Sequence, residues 1–249
     1  MGNCSMKFED IYYEEITQES FKEMLEICNW LNRTRGYFPI IIGGWAVYLY
    51  HPTLGSRDID ILFPKRTLKH QVVNEYLYSH GYKSEGLFEK EFFKEIITPK
   101  RRERILIDAC SIEDINRLKG TDIIIPWDLA LKYQTKKKIE NFELYIPQVE
   151  VLLLYKVKAA FDRKYDLKTT YDPFYLQQKI IKDYIDIITL ISNCRINFKL
   201  LKRLLDNHNF NDYFKLVLEE IETKSEITNK FQTNWKSVKK DFFKKLTVK

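Results

Sequence analysis

The feature that most constrains the fold is the stretch from residue 38 to residue 63, in which two apolar runs are joined through a pair of glycines. Phe38–Ile42 is short and uninterrupted, which predicts a buried strand. The chain then passes through Gly43-Gly44 directly into a segment of helical pattern at residues 45–50. A second apolar run, Ile59–Phe63, predicts another strand, which ends at Pro64. This succession is typical of a sheet covered by helices.

The rest of the chain divides into a mixed part and a helical part. Apolar spacing predicts helices at residues 8–32 and 66–80, and extended pieces at residues 82–97, 104–110, 123–126 and 142–146. Later helices are predicted near residues 148–164, 174–193, 197–207, 211–223 and 226–246. We therefore predict an α+β fold. Residues 1–115 form a sheet flanked by helices, residues 116–147 a connecting segment with short strands, and residues 148–249 an all-helical domain.

Composition excludes several classes of protein. A chain that is 45% hydrophobic with 16 Phe and 16 Tyr is not disordered throughout. The uncharged stretch at residues 38–50 has 13 residues, fewer than the ~20 that a spanning helix needs, and the first residues lack a secretory signal pattern. The four cysteines are far apart in the sequence, with no zinc-site spacing. We expect reduced thiols, a cytoplasmic location and no membrane partner.

Positive charge is concentrated at the end of the chain. Residues 195–249 contain 13 Lys and Arg against seven Asp and Glu, which accounts for the whole formal net charge of +6. Such a region is either a solvated helical surface or a binding surface for a polyanion such as RNA. Two shorter basic groups, Arg101, Arg102 and Arg104 before the Asp108 strand and Lys136–Lys138, are predicted to lie in solvated loops; the alternative is contact with phosphate. Trp45 is predicted to belong to the core.

The glycine pair and a pair of aspartates suggest a site for phosphate and metal. A strand that delivers the chain into Gly43-Gly44 leaves backbone N–H groups and a helix start facing any anion there, although an ordinary turn has the same pattern. Asp58 and Asp60 begin the next strand, and the two-residue repeat places both carboxylates on one face. Adjacent acids favour a cation such as Mg²⁺ between them. The alternative is an acidic strand end open to water.

A third acid, Asp108, lies within the apolar strand pattern of residues 104–110. Charged residues are rarely buried unless they are paired or bind a metal. If this strand lies beside the strand of Asp58 and Asp60, the three carboxylates are placed to hold two Mg²⁺ ions about 3.5–4 Å apart. That arrangement activates an attacking hydroxyl and stabilises a leaving pyrophosphate in phosphoryl transfer.

These residues resemble the motifs of the nucleotidyltransferase superfamily typified by DNA polymerase β, across roughly residues 36–110. The resemblance implies a nucleotidyltransferase-type mixed sheet with a nucleoside triphosphate as substrate. It implies catalytic and magnesium-binding roles for Asp58, Asp60 and Asp108. It also implies that the triphosphate is bound by Gly43, Gly44, Ser56 and Arg57.

The helical part is similar, in two motifs, to the abortive-infection (AbiEii-type) nucleotidyltransferase toxins. The matching residues are Lys156, Ala159 and Arg163, followed by Lys182, Asp183 and Asp186. The resemblance implies that Lys156 and Asp183 complete the active site, with Lys156 offsetting the triphosphate charge. The segment at residues 167–179 is longer than expected between these motifs. The alternative is a helix surface with charge pairs four residues apart.

The combined prediction is a metal-dependent nucleotidyltransferase that moves a nucleoside monophosphate onto an acceptor hydroxyl and releases pyrophosphate. The resemblance and the basic C-terminal region favour RNA as acceptor, in particular a tRNA 3′ end, and a toxin role with an antitoxin as partner. The alternatives are a small-molecule acceptor, as in antibiotic nucleotidyltransferases with a similar glycine turn, or a protein acceptor. A different class of function is a non-catalytic nucleotide-binding module.

Overall fold

The computed structural model describes residues 14–85, 91–98, 102–139, 142–224, 227 and 234–247. The chain forms two compact units, and each is discontinuous in sequence. Unit 1 consists of Met1–Asp114 and Ala130–Pro147, and unit 2 of Ile115–Leu129 and Gln148–Lys249. The segment predicted to connect two domains, residues 116–147, is therefore divided between the two units, with the change after Leu129.

Unit 1 is a mixed seven-stranded sheet with helices. Its helices are α1 (Glu14–Arg35), α2 (Gly43–Tyr48) and α3 (Arg66–Val72), and α3 continues as a π-helical turn (Val73–Leu77) and a 3-10 turn (Tyr78–His80). Its strands are β1 (Ile40–Ile41), β2 (Asp58–Phe63), β3 (Lys83–Glu85), β4 (Glu91–Ile97), β5 (Arg102–Ser111), β6 (Gln134–Ile139) and β7 (Phe142–Pro147). The strand order is β3-β4-β5-β2-β1-β7-β6. The β2–β5 and β1–β7 pairs are parallel, and the other pairs are antiparallel.

The core of unit 1 lies between α1 and one face of the sheet. Ile16, Met24 and Leu31 of α1 are fully buried, as are Ile59 and Ile61 of β2. The three- and four-residue spacing along α1 produces this apolar face. Trp45 is also buried, and its indole Nε1 donates to Ser20 Oγ at 3.1 Å, which confirms the prediction of a core position.

Residues 123–126, predicted as a short strand or an extended piece, contribute an isolated bridge between Arg117 and Ile124. One local prediction is wrong. Lys136–Lys138, predicted as a loop, lie in β6. This strand is at the end of the sheet order, where lysines protect an exposed edge from further pairing. Its ladder with β7 includes an ion pair of 2.6 Å between Lys136 and Glu143.

Unit 2 is helical. Its helices are α5 (Val149–Asp166), α6 (Pro173–Asn193), α7 (Phe198–Asn207), α8 (Asn211–Glu222) and α9 (Trp235–Thr247), while the short α4 (Asp128–Lys132) lies where the chain leaves this unit. Side chains cap three of these described helices: Asp172 accepts from the N–H of Tyr175, Asn197 from the N–H of Leu200, and Asn234 from the N–H of Ser237. Parts of the predicted helices at residues 8–32 and 226–246 lie outside the described residues.

The segment Ile115–Leu129 is held in unit 2 by hydrogen bonds rather than by regular structure. The Tyr155 hydroxyl donates to the carbonyl of Pro126 at 2.9 Å. Asn116 is buried and donates from Nδ2 to the carbonyl of Ile125 at 2.8 Å. These bonds satisfy polar groups that would otherwise be costly to bury. None of the described helices is long and apolar enough to cross a membrane.

Candidate active site

The three predicted carboxylates lie on neighbouring positions of one sheet face. Strands β2 and β5 are parallel, and their register places Asp60 directly opposite Asp108 and Asp58 opposite Leu106. The aspartates are half-buried, whereas the alternate residues, such as Ile59 and Ile107, are buried on the opposite face. The sequence prediction required β5 to lie beside β2, and the structure has that arrangement.

The glycine turn lies against the carboxylate of Asp60. Gly43 has a φ of +67°, and a Cβ atom built on it would lie 1.8 Å from Oδ2 of Asp60. At the preceding residue, the backbone N–H of Ile42 donates a hydrogen bond to the backbone carbonyl of Asp60 at 3.0 Å. Only glycine fits this position, because both the backbone angle and the close approach exclude a side chain. An anion bound at the turn would therefore meet the negative charge of Asp60 unless a cation lies between them.

Helix α2, whose first two residues are the glycine pair, is short. It has six residues, so its dipole is weaker than the sequence pattern suggested. Gly44, which follows Gly43, and Ser56, two residues before Asp58, are both buried. Triphosphate binding by Gly43, Gly44 and Ser56 stays a prediction.

Arg57 has a structural role that the sequence did not suggest. Its Nε donates to the carbonyl of Arg104 at 3.0 Å, and its guanidinium lies 3.3 Å from the carboxylate of buried Glu103. Arg57 thus ties the start of β2 to β5 and helps to fix the register of the aspartates. The predicted contact of Arg57 with phosphate stays a prediction. Arg104, the first residue of the strand predicted at residues 104–110, lies in β5. Arg102, predicted in a loop, also belongs to β5, and Arg101 lies outside the described residues.

Cys110 is a further residue of this face that sequence reasoning missed. Its Sγ donates to Oδ1 of Asp108 at 3.5 Å. Burial raises the pKa of the Cys110 thiol well above its usual range, and the charges of Asp108 and Asp60 raise it further. The thiol therefore stays protonated and can orient the Asp108 carboxylate. The two-residue strand period applied to Asp108 would have found it.

Carboxylate oxygens are the ligands that Mg²⁺ prefers, and Asp58, Asp60 and Asp108 occupy neighbouring positions of one sheet face. Within the part of the chain that the structure describes, no three His, Cys, Asp or Glu side chains are grouped closely enough to hold a metal ion as they stand. The magnesium ions therefore stay a prediction.

The motif residues of the helical part form one buried ion cluster in unit 2. Lys156 Nζ lies 3.3 Å from Oδ1 of Asp183 and 2.7 Å from Oδ2 of Asp186. Arg163 pairs with the other oxygen of Asp183, and Lys182 pairs with Asp186. The alternative, a helix surface with charge pairs four residues apart, holds for the spacing of Lys182 and Asp186 but not for the surface, because Lys156, Lys182 and both aspartates are at most 7% exposed.

Burial and charge oppose each other in this cluster. Burial alone would raise the pKa of Asp183, but the charges of Arg163 and Lys156 hold that pKa below its usual value. Burial alone would lower the pKa of Lys156, but Asp186 and Asp183 raise it. For Lys182, burial prevails and its pKa is lowered. With three cations and two carboxylates, the cluster holds more positive than negative charge.

No protein-family model and no curated protein sequence matches the chain. Among solved structures, it is similar to an antigenic nucleotidyltransferase-like protein from Paracoccidioides brasiliensis. The two chains are 11% identical, with a TM-score of 0.39, over 82% of this chain and 93% of that one. A similarity this loose assigns neither family nor activity, so the functional conclusion depends on the residues of the site.

Proposed function

We propose that the protein is a metal-dependent nucleotidyltransferase that moves a nucleoside monophosphate from a nucleoside triphosphate onto an acceptor hydroxyl and releases pyrophosphate. The observation that supports this most is the position of Asp60, which faces Asp108 across β2 and β5 and lies against the Gly43 turn. Carboxylates beside a side-chain-free turn suit a metal that bridges acids and phosphates.

The roles of the residues follow from their places. Asp58, Asp60 and Asp108 would hold Mg²⁺, which when bound supplies charge neutralisation for the triphosphate and activation of the attacking hydroxyl. The backbone at Gly43 and Gly44, together with Ser56, which is buried, would hold the β- and γ-phosphates. Asp108 would accept the proton of the acceptor hydroxyl, and the Cys110 thiol orients its carboxylate.

RNA is the acceptor that we propose, because positive charge is concentrated in residues 195–249. A small molecule or a protein as acceptor, and nucleotide binding without transfer, are outcomes that the experiment below distinguishes. Roles of Lys156 and Asp183 in transfer stay predictions from the resemblance, since their cluster already has a structural role. The toxin role, an antitoxin partner and the cytoplasmic location stay predictions as well.

The Asp60→Asn substitution is expected to lower nucleotidyl transfer at least about 100-fold, the loss typical when a charge-stabilising group is removed from an active site. Each α-labelled nucleoside triphosphate is incubated with Mg²⁺, and the label is counted in RNA, protein and small-molecule fractions. Asp122→Asn is the matched control, because Asp122 is fully exposed and forms a surface ion pair of 3.0 Å with Arg117.

Label in RNA that Asp60→Asn removes and Asp122→Asn retains supports the proposal in full. Label only in protein or small molecules retains the reaction and rejects RNA as acceptor. Magnesium-dependent nucleotide binding with neither label transfer nor pyrophosphate release contradicts the proposal and favours the non-catalytic module.

A further inference from the structure

Helix α9 carries five lysines against one acid, and the structure divides these lysines into two sets. Lys239 pairs with Glu222 of α8, and Lys245 lies 2.6 Å from Asp241. The other three are exposed. Within the described residues no hydrogen bond or ion pair joins them to another side chain, although the charge of Lys236 helps to lower the pKa of Glu222. We name these three, Lys236, Lys240 and Lys244, the lysine line.

The lysine line is regular and faces away from the core. Its members follow one another at four-residue intervals, so they rise along one side of the helix in steps of about 6 Å. The apolar side of α9 is occupied by Trp235 and Phe242, both buried. Trp235 is held further by its Nε1, which donates to the carbonyl of Leu218 at 3.2 Å. The helix is therefore fixed in unit 2 and presents three exposed cations to solvent.

We propose that the lysine line binds the phosphate backbone of single-stranded RNA. Evenly spaced cations without partnering acids suit a polymer with regularly spaced negative charges. Phe243, half-buried and next to Lys244, offers a ring on which a base can stack. An interfacial membrane helix would need its apolar side free, but here that side is buried. This inference rests on the proposed function, which names RNA as the acceptor, and it adds the surface at which the RNA binds.

The experiment compares two triple substitutions that change net charge equally. Lys236→Gln/Lys240→Gln/Lys244→Gln removes the lysine line. Its matched control, Lys215→Gln/Lys239→Gln/Lys245→Gln, removes three lysines of the same unit that are ion-paired to Glu219, Glu222 and Asp241. Binding of a mixed-sequence single-stranded RNA is measured in EDTA without nucleotide, between about 50 and 200 mM salt. Binding without metal or nucleotide keeps this result independent of whether transfer occurs.

Removal of the lysine line is expected to weaken RNA binding at least about tenfold and to reduce the slope of log affinity against log salt by about 2, since each single-strand phosphate contact contributes about 0.7. The control triple is expected to change the affinity by less than about threefold. Equal losses in both triples, or no loss in either, overturn the inference. Equal binding of single-stranded DNA, polyglutamate or phosphatidylserine vesicles through the same lysines overturns the assignment to RNA.

Discussion

The Gly43→Ala substitution is expected to lower nucleotidyl transfer at least about 100-fold, because it displaces the Asp60 carboxylate from the site. An alanine Cβ would lie 1.8 Å from Oδ2, 2.5 Å from Cγ and 3.0 Å from Cβ of Asp60. Rotation of the carboxylate can relieve the first two contacts, but the third involves an atom fixed by β2. The turn or the strand must therefore move as well.

Stability is expected to fall through two separate effects. A side chain at a φ of +67° costs about 1–2 kcal/mol, and overpacking against Asp60 adds about 1–3 kcal/mol. Gly36→Ala is the matched control, because Gly36 has a φ of +58° and a Cβ built there meets nothing within 4 Å. It should show the backbone cost alone and retain activity.

Urea unfolding and label transfer are measured on both glycine variants. If Gly43→Ala transfers nucleotide as well as Gly36→Ala does, the turn does not form part of the active site and the proposed function loses its main support. A loss of activity without a larger loss of stability than Gly36→Ala would also contradict the overpacking at Asp60, although it would leave the catalytic assignment in place.

The Asp183→Asn substitution is expected to lower the free energy of unfolding by about 3–5 kcal/mol, since it leaves buried cations without their counter-charge. Asp183 is 1% exposed and interacts with both Lys156 and Arg163. The amide has nearly the same shape as the carboxylate, so the loss reports charge rather than packing. Asp166→Asn on α5 is the control. Its pair with Lys119 is partly exposed, at 35% and 46%, and should contribute at most about 1 kcal/mol.

The stability of the wild type and of Asp183→Asn is also expected to depend differently on pH. Because the folded-state pKa of Asp183 is lowered, its stabilisation is complete above the ordinary aspartate pKa of about 4 and is lost as the pH falls through the folded value. The difference in stability between wild type and Asp183→Asn should therefore be constant near neutral pH and narrow below about pH 4. A difference that stays constant to lower pH would show that Asp183 does not act through its charge.

Much of the site could be predicted because its signals are local. The two-residue strand period placed Asp58 and Asp60 on one face, and the glycine pair marked a turn that only glycine can make. Asp108 was recognised because a charge within an apolar strand requires an explanation. That β5 would lie beside β2, in the register that sets Asp60 opposite Asp108, depended on strand pairing, which no local pattern specifies.

The residues that were missed or misplaced owe their roles to contacts distant in sequence. Arg57 has a side chain typical of a phosphate ligand. However, it forms an ion pair with Glu103 and a hydrogen bond to the carbonyl of Arg104, both more than forty residues away. The lysines of β6 show no apolar alternation, so nothing in the sequence marks them as a strand. Their strand exists because β7 offers it a partner. The division of α9 into ion-paired lysines and the lysine line depends in part on Glu222 of another helix, which pairs with Lys239.

The interleaved order of the two units has a consequence for synthesis on the ribosome. When residue 114 emerges, β1 has its partner β2, but its partner on the other side, β7, lies some thirty residues further along the chain. The next segment, Ile115–Leu129, must in turn await α5 before Tyr155 can bond to Pro126. Each unit thus completes itself only after part of the other has been made. A chain that is truncated after Asp114 or after Leu129, where it passes from one unit to the other, should therefore yield an insoluble fragment rather than one folded unit.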